Sequence, residues 1–439
     1  MSTQKIKNNF GITGFTVQTD RELLNADGHS RRYLRIEVKA DTAEATHVRP
    51  PVQVAFALDR SGSMSDGKLE MAAQAVRQAV ALLHAQDRFS VVFFDDEVDV
   101  VVPVTLATAE AKARADALCA AVQTGGSTNL EGGWIHACHQ LADGLNAEAV
   151  GLVMLLTDGQ ANVGQRDPLL LAQQAQALRK RGIATTCIGL GSDFNEALLR
   201  GMALAADGRF HFVEHVSQLP QLMREELSEA LEVVARDVAV LVRPHGRGRL
   251  EALPGVRSAW CAADLFGFAH LRMDLGDLAS AQSVVFGVAV DCPSGEDGET
   301  LTLDVQVIVG KDSQSLPIQS VQWTFAPPEL LDRQPRNRVV DRMVAGIYAA
   351  EARMQAVGLN RERHFTRAEA VLCKARERIA SYAGNDAELL KIVRELEPDI
   401  QVMAAPMMEM DRKTSYTKAS HVQRSRKEDG KRQLKDELN

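Results

Sequence analysis

Short apolar runs alternate with stretches of helical spacing between residue 50 and about residue 234. The apolar runs predict strands at Val52–Leu58, Phe89–Phe94, Val98–Val102, Val150–Leu156, Ile183–Gly189 and Phe210–Val213. Helical spacing predicts helices at Lys68–His84, Ala107–Val122, Leu130–Leu145, Pro168–Arg181, Asn195–Ala205 and Gln218–Ala235. Runs such as VGLVMLL are apolar on both faces, which is typical of a parallel sheet covered by helices on both sides. We therefore predict an α/β domain with a doubly wound open sheet over residues 50–234.

Two of these apolar runs are separated only by Asp95-Asp96-Glu97. This connection is too short for the crossover that parallel strands need, so we expect a hairpin with one antiparallel edge strand. We expect the three acidic side chains at its turn to be solvated.

The pattern changes to alternation with period two between Arg236 and about Ala326. The alternating runs are VAVLVRP, HLRMDL, SVVFGVAVD, TLTLDVQVIVG and VQWTFA. Together they predict a small antiparallel β-sandwich over residues 235–326. GFTVQTD and RRYLRIEVKA alternate in the same way within residues 1–49. These early strands either complete the later sandwich, which would make the α/β domain an insertion, or pair only with each other.

A helical segment is predicted after Pro327-Pro328, over residues 327–400. Its helices are expected at Arg336–Val357, Thr366–Ala383 and Asp386–Leu396, with Gly358 and Gly384 as C-caps and an end before Pro398. Residues 401–439 are expected to form a flexible basic tail. Residues 411–435 carry nine Lys and Arg against three acidic residues, a balance of +6. Because the chain carries −8 in total, the remainder carries −14. This acidic charge argues against nucleic-acid binding by the body of the protein.

The composition favours a soluble cytoplasmic protein that makes no contact with membranes. The six cysteines are widely spaced without a C-x-x-C pair, which indicates free thiols in a reducing compartment. The N-terminus lacks the apolar region of a secretory signal, and no apolar run reaches the roughly 18 residues of a spanning helix.

Three polar loops follow predicted strands of the α/β domain. Their sequences are Asp59-Arg60-Ser61-Gly62-Ser63, Gly125-Gly126-Ser127-Thr128 and Thr157-Asp158-Gly159. Ligands of open parallel sheets bind beyond the carboxyl ends of the strands, where the strand order reverses. Carboxylate and hydroxyl oxygens without His or Cys suit Mg²⁺, with Mn²⁺ as a second option. The predicted metal ligands are Asp59, Ser61, Ser63, Thr128 and Asp158.

The first loop also resembles a phosphate-binding loop, because Gly62 to Lys68 follows the pattern G-x-x-x-x-G-K. Two details argue against that interpretation. Leu69 stands where such a loop requires a Ser or Thr for Mg²⁺, and the acidic Asp59 would repel a phosphate.

The spacing D-x-S-x-S, followed by a Thr on a later loop and by T-D-G, resembles the von Willebrand factor A (vWA) domain. All five metal positions of that family's metal-ion-dependent adhesion site (MIDAS) have a matching residue here. The resemblance implies a Rossmann-like fold over about residues 50–234 and a metal that binds an acidic residue of a protein partner. Since bacterial intracellular relatives resemble adaptors, it also implies a complex with a kinase, a phosphatase or an AAA+ ATPase.

Two other functions remain open from the residues alone. A metal-assisted phosphatase or nucleotidase could use the two carboxylates and Mg²⁺, although no nucleophile with a base partner is evident. A nucleic-acid-associated scaffold could use the basic tail. We favour a non-enzymatic interaction module or adaptor.

Overall fold

The computed structural model describes most of the chain. The described residues are 11–42, 51–142, 149–262, 269–310, 314–408, 411–413, 415–416, 419 and 426–428. Two compact units are present, one of Glu44–Val233 and one formed by Met1–Ala43 together with Val234–Asn439. Within the described ranges, no helix combines the length and the apolar character needed to cross a membrane.

The strands and helices are numbered in chain order. The strands are β1 (Ile12–Thr19), β2 (Leu23–Asn25), β3 (Ser30–Ala40), β4 (Val52–Asp59), β5 (Arg88–Phe94), β6 (Val98–Leu106), β7 (Val150–Thr157), β8 (Ile183–Leu190), β9 (Phe210–Val213), β10 (Val233–His245), β11 (Arg249–Ala252), β12 (Arg257–Cys261), β13 (His270–Ala279), β14 (Gln282–Cys292), β15 (Thr300–Val309), β16 (Gln314–Ser315), β17 (Gln319–Ala326) and β18 (Arg426–Glu428). The helices are α1 (Lys68–Leu82), α2 (Ala109–Ala120), α3 (Leu130–Ala142), α4 (Pro168–Lys180), α5 (Glu196–Ala205), α6 (Leu219–Leu231), α7 (Pro328–Leu331), α8 (Arg338–Arg361), α9 (Phe365–Ala383) and α10 (Ala387–Met403).

The Glu44–Val233 unit is built on a six-stranded sheet with the order β6-β5-β4-β7-β8-β9. All neighbours are parallel except β5 and β6, which form the antiparallel hairpin at one edge. The doubly wound α/β prediction and the hairpin prediction are thus confirmed. Since the chain moves from β4 outward to β5 and later returns beside β4 as β7, the strand order reverses between β4 and β7.

Helices cover both faces of this sheet, as the doubly apolar strands require. On β4, Val54, Phe56 and Leu58 pack with α1, α2 and α6, whereas Ala55 and Ala57 pack with α3, α4 and α5. This period-two division follows from the alternating side-chain direction of a strand. Each fully buried large apolar side chain contributes about 1.5–3 kcal/mol, so both faces stabilise the central strand.

The end of helix α6 was placed too late by the helical spacing. Helix α6 ends at Leu231, and β10 begins at Val233, so the predicted helix to Ala235 is wrong. Val233 and Ala235 are buried on alternate positions, which suits a strand. The predicted end of α3 at Leu145 lies outside the described residues, which reach Ala142 here.

The second unit contains two sheets that bury a common set of apolar side chains. One has the order β1-β3-β14-β11 with β18 also on β14, and the other β12-β13-β10-β15-β17-β2 with β16 on β15. Strand β3 pairs with β1 and also with β14 over Ser283–Cys292, while β2 pairs with β17. The early strands therefore lie in the same sheets as strands that follow the α/β unit.

Two helices of this unit continue past the residues that the sequence suggested would end them. Helix α8 continues past Gly358 to Arg361, so the predicted C-cap at Gly358 is wrong. The extra turn places Asn360 where its amide donates to the carbonyls of Met403 and Ala405. Helix α10 continues past Pro398 to Met403. Burial of Ile400 and Met403 offsets the cost of about 3 kcal/mol that an internal proline carries.

Parts of the predicted flexible tail are ordered. The boundary at residue 400 falls inside α10 and is wrong. Lys413 and Ala419 are buried, Tyr416 is half-buried, and Arg426–Glu428 pair with β14, so the flexible interpretation is also wrong at these positions. Ala419 and Tyr416 pack with Ala350 and Met354 of α8, an apolar contact that charge counting did not predict. Residues 409, 410, 414, 417, 418, 420–425 and 429–439 of the tail lie outside the described residues.

Candidate metal site

The carboxylate of Asp59, the last residue of β4, is buried and held by two hydrogen bonds. Its Oδ1 accepts from the Ser61 backbone N–H at 2.8 Å, and its Oδ2 accepts from the Thr157 hydroxyl at 2.5 Å. Thr157 ends β7, the strand beside β4 at the reversal of strand order. One bond therefore comes from each side of the reversal, and the orientation of the carboxylate is fixed.

The hydroxyls of Ser61 and Ser63 form a chain that leads to Asp158. Ser61 Oγ and Ser63 Oγ lie 3.1 Å apart, and Ser63 Oγ donates to Asp158 Oδ1 at 2.6 Å. Asp158 and Ser61 are buried, whereas Ser63 is exposed. The oxygen cluster is therefore open to solvent on the side of Ser63.

Thr128 reaches the same cluster, as the space around Gly159 shows. A Cβ atom added to Gly159 would lie 3.0 Å from Thr128 Oγ1, 3.3 Å from Ser63 Oγ and 4.0 Å from Ser61 Oγ. Three hydroxyl oxygens thus surround one small space, which any side chain at this position would enter. The structure brings together all five residues that the sequence predicted as metal ligands.

The glycine loop that precedes Thr128 is held to the loop after β4 by two backbone hydrogen bonds. Gly125 N–H donates to Arg60 C=O at 2.7 Å, and Gly62 N–H donates to Gly126 C=O at 2.9 Å. These bonds tie the loop that carries Thr128 to the loop that carries Ser61 and Ser63.

Asp95 was expected to be solvated, and this expectation is wrong. Its carboxylate is buried and accepts from Arg60 Nε at 3.1 Å, from Glu97 N–H at 2.9 Å and from Gly126 N–H at 3.4 Å. Burial alone would raise the pKa of Asp95, but the Glu97 N–H and the Arg60 guanidinium outweigh it and lower the pKa. Asp95 thus connects the hairpin turn to both loops of the site.

The acidic hairpin turn also explains why glycine occupies positions 125 and 126 of the loop. A Cβ at Gly125 would lie 1.8 Å from Asp95 Oδ2, and a Cβ at Gly126 would lie 1.8 Å from Asp96 Oδ1. No side chain fits at either position without moving these carboxylates. Sequence reasoning missed the roles of Arg60 and Asp95, although the acidic pair and the Gly-Gly pair were both visible in the sequence.

A lysine lies against the oxygen cluster. Lys68 Nζ lies 2.5 Å from Asp158 Oδ2 and donates to the Ser63 carbonyl at 3.0 Å. Lys68 is the first residue of α1 and the residue that made the loop look like a phosphate-binding loop. Its ammonium group pairs with a carboxylate of the cluster, which argues against a phosphate-binding loop at this position.

The donor set fits a hard divalent cation. Burial raises the pKa of Asp59 to about 6, the Ser61 and Thr157 hydrogen bonds oppose this shift, and Asp158 adds to it. A nearby cation favours the ionised form of such a carboxylate. In the described part of the chain, no group of three or more His, Cys, Asp or Glu side chains could hold a metal. A hard divalent cation at this place would find two carboxylates and three hydroxyls as ligands, with water or an outside ligand completing six oxygens.

Residues 53–225 match the family model described as the von Willebrand factor type A domain. These residues form such a domain, which confirms the resemblance for this part of the chain. The uncharacterized protein YfbK of Escherichia coli (strain K12) is 27% identical over 210 residues, which are 47% of this chain and 36% of that protein. Human inter-alpha-trypsin inhibitor heavy chain H4 is 31% identical over 165 residues, which are 36% of this chain and 18% of that protein.

The chain thus spans about a third of the first relative and less than a fifth of the second. A solved structure, the von Willebrand factor type A protein from Catenulispora acidiphila, covers 95% of this chain and 99% of its own length. Its TM-score is 0.74 at 17% identity, which shows a shared fold.

Proposed function

We propose that the protein is a metal-dependent protein-interaction module. Mg²⁺ is held by Asp59, Ser61, Ser63, Thr128 and Asp158, and a carboxylate of a partner protein completes its coordination. One observation carries the proposal: the Thr128, Ser61 and Ser63 hydroxyls meet around Gly159 beside the buried Asp158. When bound, the metal supplies an electrophilic centre for an outside oxygen.

The residues around this centre define how a partner approaches. Asp59, Ser61, Thr128 and Asp158 are buried, so an outside carboxylate must enter on the exposed side of Ser63. The two carboxylates only balance the charge of a divalent cation, and Lys68 adds a positive charge beside Asp158, so the site keeps a net positive charge for a third carboxylate. The resulting bond is partly desolvated and directional, and it is stronger than an exposed salt bridge.

The same geometry favours an adaptor over an enzyme. Among the described residues, the side-chain hydrogen bonds of Ser61 and Ser63 run to each other and to the carboxylates of Asp59 and Asp158, and none runs to a histidine. A serine that donates to a buried carboxylate ligand is a poor candidate nucleophile. We propose that the partner belongs to an intracellular regulatory complex with a kinase, a phosphatase or an AAA+ ATPase, in analogy to bacterial members of the family.

Capture of partners with and without metal tests the proposal. The full chain is immobilised, and binding proteins are compared in Mg²⁺, in EDTA and after Mg²⁺ is restored. We expect a partner that is lost in EDTA, returns with Mg²⁺ and is absent with Asp158→Ala. Asp116→Asn is the control, because Asp116 pairs with Arg77 on exposed helix surface. A partner that stays bound in EDTA and to Asp158→Ala would contradict a metal-dependent contact.

Hydrolysis assays test the non-enzymatic part. We expect that the protein with Mg²⁺ or Mn²⁺ hydrolyses neither ATP nor a generic phosphomonoester above background. Turnover that disappears in Asp59→Ala would replace the adaptor with a metal-assisted phosphatase or nucleotidase.

A further inference from the structure

A cavity of about 570 Å³ lies within the unit formed by Met1–Ala43 and Val234–Asn439. Its walls come from the first strands and from α7, α8 and α9. The arginine, tyrosine and histidine side chains at its walls are Arg21, Arg31, Arg32, Arg336, Arg378, Tyr33, Tyr348, Tyr382 and His29. Five guanidinium groups and the carboxylates of Asp332 and Asp341 line the cavity, and Asp20, Glu251 and Asp291 pair with the lining arginines Arg21 and Arg31.

Arg32 is a buried cation whose hydrogen bonds go to neutral groups. Its guanidinium donates to the carbonyls of Leu23 and Arg31, and only 3% of the residue is exposed. Burial, together with the neighbouring Arg21 and Arg336, lowers the pKa of Arg32 to about 10 against the opposing effect of Asp20. Arg32 thus brings a buried positive charge to the cavity wall.

Arg378 lies on the opposite wall, on α9, and its contacts are also neutral. Its Nη2 donates to the Tyr33 hydroxyl at 2.8 Å, and its Cζ lies 4.8 Å from the centre of the Tyr348 ring. The Tyr33 and Tyr348 rings pack edge to face at 6.2 Å, with their hydroxyl oxygens 3.5 Å apart. Two phenol hydroxyls and one guanidinium thus meet at one place on the wall.

Arg31 reaches the same tyrosine pair from the other side. Its Cζ lies 5.9 Å from the centre of the Tyr33 ring, and Asp291 and Glu251 pair with its terminal nitrogens. Its Nε is buried and has no hydrogen-bond partner within the described ranges. A buried N–H without an acceptor costs about 1–3 kcal/mol, and a ligand oxygen would remove that cost.

We propose that this cavity binds a small phosphate ester, with Arg31, Arg378 and the Tyr33 and Tyr348 hydroxyls around the phosphoryl group. Guanidinium forks match phosphate oxygens, and the hydroxyls supply further donors to a dianion. The cavity is much larger than a phosphate and lies in the range of small-ligand pockets, about 300–1,000 Å³, so it also has room for the organic part of the ester. The site is separate from the proposed metal site and does not depend on it.

Calorimetry on the full chain in metal-free buffer tests the proposal. The probes are inorganic phosphate, adenosine monophosphate and a phosphothreonine peptide, and chloride at equal ionic strength is the reference. We expect the wild-type protein to bind phosphate and to bind adenosine monophosphate more tightly. No binding of either probe would overturn the proposal, and a clear preference for the phosphopeptide would overturn the assignment to a small ester.

Two variants separate this site from general positive charge. Arg378 is exposed on α9, so Arg378→Gln should fold normally and lose roughly tenfold or more in affinity for adenosine monophosphate. Arg376→Gln is the matched control, because Arg376 lies on the same helix, pairs with Glu397 and does not line the cavity. Tyr348→Phe removes one hydroxyl from the site and should cost about threefold. Equal affinity in wild type, Arg378→Gln and Tyr348→Phe would overturn the proposal.

Discussion

The two candidate sites of this protein have opposite chemistry and opposite origins in the chain. The proposed metal site is lined by oxygen, and its five ligands lie within residues 59–158, at the end of a strand or in loops that follow strands or precede a helix. The arginine-lined cavity is lined by nitrogen donors and phenols, and its residues are scattered between Arg21 and Tyr382. One site favours a cation and the other an anion.

This difference decides what a sequence can reveal. In a doubly wound sheet the carboxyl ends of the parallel strands meet at one edge, so short motifs after successive strands converge without any long-range information. The cavity instead depends on β3 lying beside α8 and α9, a tertiary packing that no local spacing encodes. The positive charge of SRRY is visible in the sequence, but Tyr348 and Arg378, which contact Tyr33 in the cavity wall, are more than 300 residues away.

The largest expected effect concerns the two carboxylates of the oxygen site. Asp59→Ala and Asp158→Ala should each weaken Mg²⁺ binding by roughly 100-fold or more, about 2.7 kcal/mol, because each removes a charged oxygen from the cluster. Calorimetric titration with Mg²⁺ measures it. Arg378→Gln should leave this titration unchanged, because Arg378 lines the arginine-lined cavity and is not a predicted metal ligand. Wild-type Mg²⁺ affinity in either Asp variant would contradict the proposed metal site.

The parts of this protein that follow from local sequence patterns could be predicted. The alternation of strands and helices predicted the α/β unit, and the D-x-S-x-S spacing led to residues that the structure brings together. The helix ends predicted from Gly358 and Pro398 are wrong. The Asn360 hydrogen bonds outweigh the local preference of Gly358, and the burial of Ile400 outweighs that of Pro398. The expectation for Asp95 is wrong because an acidic turn residue is usually solvated, and only tertiary structure shows that Arg60 and Gly126 approach it.

A smaller effect is expected at Thr128. Thr128→Ala should weaken Mg²⁺ binding about tenfold, or about 1.4 kcal/mol, since one neutral oxygen is lost from a loop that stays tied to the loop after β4 by backbone bonds. Ser127→Ala is the control, because Ser127 is exposed and is not among the predicted ligands. The same calorimetric titration applies. A large loss in the Ser127 variant would show that the loop itself, and not the Thr128 hydroxyl, determines the affinity.

Asp95 is not a predicted ligand, and its replacement tests whether the residues that hold the ligand loops affect Mg²⁺ affinity. Asp95→Asn should weaken Mg²⁺ binding about fivefold, roughly 1 kcal/mol, because it weakens the hold on Arg60 and on the Gly125-Gly126 turn. Asp96→Asn keeps an oxygen for its bond with the Ser127 N–H, so it should have little effect. Equal losses in both variants would point to the overall charge of the hairpin turn.

The smallest effect, and the one with the opposite sign, is expected at Lys68. This lysine places a positive charge 2.5 Å from Asp158 Oδ2, so the only change predicted to strengthen Mg²⁺ binding is its removal. Lys68→Gln should raise Mg²⁺ affinity about threefold, roughly 0.6 kcal/mol, because a repelling charge near the cation is lost. The gain should shrink at high salt, since part of the Lys68 side chain is exposed to solvent and its field is screened. Lys112→Gln is the control, because Lys112 Nζ donates to the carbonyls of Ala81 and Leu83 and does not contact the site. A loss of Mg²⁺ affinity in Lys68→Gln would mean that the lysine orients Asp158 for the metal, and positive charge would then support both sites of the protein instead of only the arginine-lined cavity.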